Sequence, residues 1–346
     1  MRKARWYTIN IDETVQMHRI QKRTRRLRAI TIGACALVGV LATFLVSDIF
    51  VEYGLSDGFV AGLFVDAGRL MAPYTGLDLL TFRFGWRMLA IGGLIGIVGP
   101  LIGMYVVHRE MALIGETLAH AAFAGVALGL LFTTLTGFQT NFLVPALIIA
   151  VIGAFLVQYL AEHSTSYGDV PIAIMLSGSF ALGTLVISIG GGLTGVSIEG
   201  ILFGNISVIH PSGGAIMLTL SAVVLVVVGT QYKQLLFITF DEQAAHVAQF
   251  NVSLYNLVMI VLTALVVVGA IQILGVILVA AMLVVPVAAA SQVANSFREM
   301  MYLSIFIGEV SVLAGILVAH EAGLPAGGSI VILAISIYLG AVVLSE

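Results

Sequence analysis

Glu116 and His120 stand four residues apart in the stretch GETLAHAAFA (115–124), inside an otherwise apolar segment. On a helix this spacing puts both on one face, with Cβ atoms about 5–6 Å apart. A carboxylate beside an imidazole supplies an oxygen and a nitrogen donor, a set that suits a divalent transition metal. Ionisable groups are costly in hydrocarbon, so two on one face usually mark a pathway or a site. The plainer alternative is a pair bonded to each other that ties helices together. The two residues alone leave these readings evenly balanced.

The elements that must hold them are membrane helices. Of 346 residues, 60% are hydrophobic and only 10% charged, and the mean hydropathy is +1.11. No soluble globular protein of this length needs so much apolar surface. The apolar runs repeatedly reach the length that crosses a hydrocarbon core of about 30 Å. The fold class is therefore all-α, a polytopic helical membrane protein with about ten transmembrane helices. The single cysteine, Cys35, lies in the first apolar run and can form no internal disulfide.

Residues 1–28 hold nine of the fifteen lysines and arginines. This is an ordinary positive flank, which predicts a cytoplasmic tail. No folded basic module suggests nucleic-acid binding, and no small-residue cleavage pattern closes a signal peptide. A first span follows at 29–47. Residues 48–85 are net acidic, which fits an outer location, and 59–71 reads as an interfacial helix. Further spans are expected at about 86–107, 111–133, 142–160, 171–189, 215–230, 253–270, 272–290, 300–319 and 327–344, with a tight turn near Gln272. Gly92, Gly96, Gly99 and Gly103 recur at the spacing that lets helices approach closely. The glycine-rich segment 190–214, with Glu199 and His210, is too broken for a simple span and reads as an outer loop or re-entrant segment. Residues 231–252 form a polar interruption in which Asp241 can cap a short helix and Glu242 suits its positive end. Ten spans put both termini in the cytoplasm.

The stretch GLIGIVGPLIGMYVVHREMALIGETLAHAAFAGVALGLL (93–131) resembles the membrane subunit of the ABC-3 metal permeases, importers of zinc and manganese. Arg109, Met111, Gly115, Glu116, His120, Ala121 and the run Gly125 to Gly129 fill the places of that family's pattern. GILFGNIS (200–207), LLFITFDEQAAHV (235–247), GVILVAAMLVVPVAAA (275–290) and LPAGGSIVIL (324–333) follow in the family's order. The resemblance covers 76–346 and leaves residues 1–75 unexplained, the basic tail of 1–28 and an extra span with an outer segment at 29–75. The chain departs from the pattern in three places. Glu116 stands where aspartate is frequent, His210 near a common acidic position, and Gly323 where aspartate often precedes Leu-Pro.

The resemblance implies a permease subunit that moves Zn²⁺ or Mn²⁺, and at the limit Fe²⁺, as transported substrate, with no permanently bound cofactor. It implies a plasma-membrane homodimer, a separate cytoplasmic ATPase and an extracellular metal-binding protein. The chain lacks a G-x-x-x-x-G-K-[ST] phosphate loop, so it is not itself the ATPase; the resemblance implies a transport subunit and no enzyme. With the resemblance, Glu116 and His120 become a metal-path pair, and Asp241, Glu242, Ala244, Ala245 and Ala248 the helix that docks into the ATPase. Glu309, His210 and His320 are weaker pathway candidates. A hydrogen bond from Ser304 or Ser311 would serve Glu309 equally well, and His320 fits a wet outer loop. The competing class is an ion- or proton-coupled secondary transporter with Glu116, His120 and Glu309 as a relay; clear inverted repeats are missing. An intramembrane hydrolase ranks last, since H-E-x-x-H is absent.

Overall fold

A computed structural model describes the chain except residues 1, 56, 139–140, 164–169, 190–197, 205–210 and 346, with only the backbone of 2–22 and 272. Among the described residues every regular element is helical, as hydrocarbon demands of a chain that must satisfy its own backbone. The helices are α1 (Arg2–Glu52), α2 (Phe59–Thr75), α3 (Arg83–His108), α4 (Ile114–Thr136), α5 (Leu143–His163) and α6 (Val170–Ile189). They continue with α7 (Ile198–Phe203), α8 (Pro211–Phe240), α9 (Glu242–Val247), α10 (Val252–Val293), α11 (Phe297–Ala322) and α12 (Ala326–Ser345). Ten apolar segments are long enough to cross a membrane, with α10 supplying two of them.

The bundle is built around α3, which is buried almost throughout. Its glycines work as the spacing predicts. A methyl group at Gly92 would strike Val312 and Ile316 of α11, and one at Gly96 would sit 2.9 Å from the Glu309 Cα. Gly99 and Gly103 instead meet the carbonyls of Met282 and Leu283 on α10. One helix thus receives two neighbours at backbone contact. The helix continues through Pro100, whose ring is received by Gly308 of α11.

Two boundaries differ from expectation. The sixth span does not stop near 230; α8 continues to Phe240. Its hydroxyls close on their own helix, with Thr230 donating to the Val226 carbonyl and Thr239 to that of Leu235, while Leu235 and Ile238 are buried. The break in α10 lies at Gly275 rather than Gln272. Gly275 has φ 74° and ψ 167°, a conformation open essentially to glycine alone. A side chain there would overlap Leu202 and Gly204, so α7 packs directly on the break. Val252, beside α9, and Val293, beside Arg23, lie at the same end of the bundle. The chain therefore turns back at Gly275.

The N-terminal helix is tied to the bundle at both ends. Arg23 pairs with the fully buried Glu299 at 2.8 Å and donates to the Val293 carbonyl. Thr31 donates to the Tyr302 carbonyl. At the opposite end Arg87 of α3 grips the buried Asp48 of α1 at 2.6 Å. Phe64 of α2 packs on Phe44 and Trp86 beside this pair. Removing one partner of such a buried pair costs about 3–5 kcal/mol, because the other charge is stranded. Asp48→Ala should therefore lower the melting temperature of the purified protein markedly, and Asp48→Ala with Arg87→Met should recover much of the loss. Equal stability of the wild type and Asp48→Ala would show that the pair is incidental.

Candidate functional site

Glu116 occupies the first turn of α4, where the helix dipole favours a carboxylate, and His120 follows one turn later. Both are half-buried. Their surroundings come from three helices. Gly115 lies against Leu283 and Ala280 of α10, and Ala121 faces Gly153 of α5. Thr117 donates to the Ile172 carbonyl of α6 at 3.2 Å. The imidazole of His120 meets the ring of Phe180 on α6 edge to face, centroids 5.0 Å apart, and its Nδ1 has no hydrogen-bond partner. Among the described residues no hydrogen bond or ion pair joins Glu116 to His120. The two side chains stand one helical turn apart and are not bonded to each other.

The other sequence candidates are not gathered around this pair. Glu309 is 2% exposed and faces α3 and α1 midway along α11. Neither serine serves it: Ser304 donates to the Met300 carbonyl, and the Ser311 hydroxyl is itself unpartnered. Cys35 of α1 approaches Glu309 instead, and one carboxylate oxygen of Glu309 has no hydrogen-bond partner. Sequence reasoning missed this contact because nothing local relates the two residues. His320 lies at the far end of α11 against Phe84, at the opposite end of the bundle from the α3–α4 turn. His210 is outside the described residues.

The short helix α9 forms as its residues predict. Asp241 caps it by accepting from the Ala244 amide at 2.8 Å, and Glu242 follows in the first turn. One member of the expected contact set needs correction. Ala245 is fully buried against Ile238, Val252, Phe250 and Tyr255, so it seats α9 on its own chain and faces no partner. The outward face carries Asp241, Gln243, Val247 and Ala248, and Val247 is 85% exposed. Glu242 approaches Arg109 of the α3–α4 turn at 3.8 Å. Burial pulls the Arg109 guanidinium below its usual range, and the carboxylate opposite works against that pull. A cavity of about 660 Å³ opens here, lined by Arg109, Glu242, Glu162, His246 and Asn256 among others.

Comparison with known proteins places this architecture. The model of the ABC 3 transport family matches residues 81–345. The manganese import system permease protein ScaB of Streptococcus gordonii is 31% identical over 258 residues, 75% of this chain and 90% of that protein. The manganese transport system membrane protein MntC of Halalkalibacterium halodurans is 31% identical over 75% of this chain and 87% of its own length. Among solved structures, a chain of PsaBC from Streptococcus pneumoniae in complex with Fab superposes with a TM-score of 0.67 and 30% identity, covering 80% of this chain and 95% of that one. A structure described as an inward-facing metal-chelate type ABC transporter shares only the fold, at 14% identity and a TM-score of 0.60. It covers 91% of this chain, more than residues 81–345 could supply, so the fold likeness extends into the N-terminal part. By its match over three quarters of its length, this chain, a membrane-transport component and not an enzyme, belongs to the ABC 3 transport family.

Proposed function

We propose that this chain is the membrane subunit of an ATP-driven importer of a divalent transition metal, with Mn²⁺ as its foremost cargo. Glu116 and His120 serve as transient ligands. The observation that carries the reading is the state of that pair. The residues share a face without bonding to each other, and His120 keeps an unpartnered nitrogen. A structural tie would have satisfied both. Among the described residues no third His, Cys, Asp or Glu completes a cluster, which suits a site that must release its cargo. Water or a second copy of the chain would fill the remaining positions in a homodimer. Zn²⁺ and Fe²⁺ accept the same donors; the names of the relatives favour manganese.

The basic tail, the α3–α4 turn, α9 and the start of α11 lie at one end of the bundle. The positive-inside rule makes that end cytoplasmic, with both termini there and the protein in the plasma membrane. The outward face of α9 then meets the ATPase, and an extracellular metal-binding protein delivers to the other end.

Uptake of Mn²⁺ into proteoliposomes holding the purified complex tests the pair. Glu116→Gln and His120→Ala should each reduce uptake by more than about tenfold while the melting temperature stays near that of the wild type. Wild-type uptake should also decline as pH falls through the imidazole titration, because a protonated histidine offers no lone pair. Normal uptake by both variants would remove the pair from the path. Loss of uptake together with collapse of the protein would restore the structural tie.

Docking has its own test. Val247→Arg should abolish co-purification with the ATPase and leave the permease folded. Ala245→Arg should unfold the permease locally, since its side chain enters the α8–α10 contact. An ATPase retained by Val247→Arg would refute the docking assignment.

A further inference from the structure

We infer that Arg109 is a positioning residue for transport: it receives the movement of α9 through Glu242 and passes it along a stiff turn to the α4 face that carries Glu116 and His120. This rests on the reading that α9 contacts the ATPase.

The arrangement begins with the guanidinium. The Arg109 side chain is 8% exposed, carries five donors, and among the described residues pairs only with Glu242, at 3.8 Å. A charge-assisted bond closes at about 2.7–2.9 Å. The gap is therefore about 1 Å longer than the contact both groups favour. As a stability device the pair is poor, since Glu242 is 53% exposed and water competes for it. As a detector of the position of α9 it is well placed. The cavity beside it gives α9 room to move, and the carboxylate sits on the first turn of the moving element.

What lies on either side of Arg109 is rigid. His108 packs edge to face on Phe240, the residue before the α9 cap, and on Phe297 of α11. On the other side the turn is closed by the Glu110 amide bonding the Val107 carbonyl, Met111 bonding Val106, and Ile114 bonding Met111. Glu110, at φ 57°, is the left-handed residue of the C-cap that these bonds close on α3. Gln249, just after α9, is held likewise at φ 62°. Thr117 then bonds both the Leu113 carbonyl that ends the turn and Ile172 of α6. A displacement of Arg109 cannot be absorbed within this turn and must shift the start of α4, where Glu116 resides.

The experiment uses the full complex with its ATPase. Because the Glu242 carboxylate turns toward Arg109 and is not counted in the outward face of α9, it leaves the expected docking set, and Arg109→Glu and Glu242→Arg should each co-purify with the ATPase as the wild type does. Each should lose at least about fivefold in Mn²⁺ uptake and in cargo-stimulated ATP hydrolysis. The double reversal should restore much of both, and Arg109→Lys should retain part. Because Glu242 is half-exposed, Glu242→Ala supplies a folded variant even if Arg109→Glu is unstable, and it should be uncoupled to a similar degree. Normal uptake by the Glu242 variants, or a double reversal no better than the singles, would overturn the inference. ATPase lost from Glu242→Ala would also overturn it, by making Glu242 part of the docking contact. A failure of docking itself is read separately, from Val247→Arg.

Discussion

Backbone-to-backbone approach on α3 is the constraint on which the rest of the structure depends. Hydrocarbon offers no hydrophobic drive between helices, so association relies on close packing and on the few polar contacts available. Gly92, Gly96, Gly99 and Gly103 remove the Cβ atoms that would hold α10 and α11 away. With those two helices fixed, the remaining contacts follow. The second arm of α10 presents Leu283 to Gly115, which sets the rotation of α4 and therefore the direction in which Glu116 and His120 face.

The same logic explains how α4 can be both packed and available. Gly125 and Gly129 lie against Pro145 and Ala146 of α5, and Gly183 of α6 accepts Phe123. The apolar half of α4 is thus locked by small residues. In its first two turns, by contrast, His120 meets Phe180 of α6, and α6 is the most exposed of the apolar segments among the described residues. Glu116 and His120 are thus half-exposed on an otherwise packed helix.

Much of this was legible in the sequence, because the signals were local. Apolar run length gave the ten segments, glycine spacing gave the close face of α3, and the Asp241 cap gave α9. Glu116 and His120 could be placed on one face from the period of the helix alone. What could not be read were contacts between residues far apart in the chain. The approach of Cys35 to Glu309, the Arg23–Glu299 pair and the grip of Arg87 on Asp48 all join the N-terminal helix to distant elements. Ala245 was misread for a related reason. A small residue on a short helix looks equally suited to either face, and only the positions of Ile238 and Val252 show that it points inward.

The two buried ion pairs of α1 also set an order of assembly. Asp48 meets its counter-charge 39 residues later, as soon as α3 is made. Arg23 must wait for residues some 270 positions downstream. One end of α1 can therefore be secured early, while its Arg23 end stays open until α10 and α11 have been threaded past it. Closing so large a loop late is entropically slow. In the interval Glu299 has not reached its guanidinium partner, and α1 remains hinged at Asp48 like a door awaiting its latch.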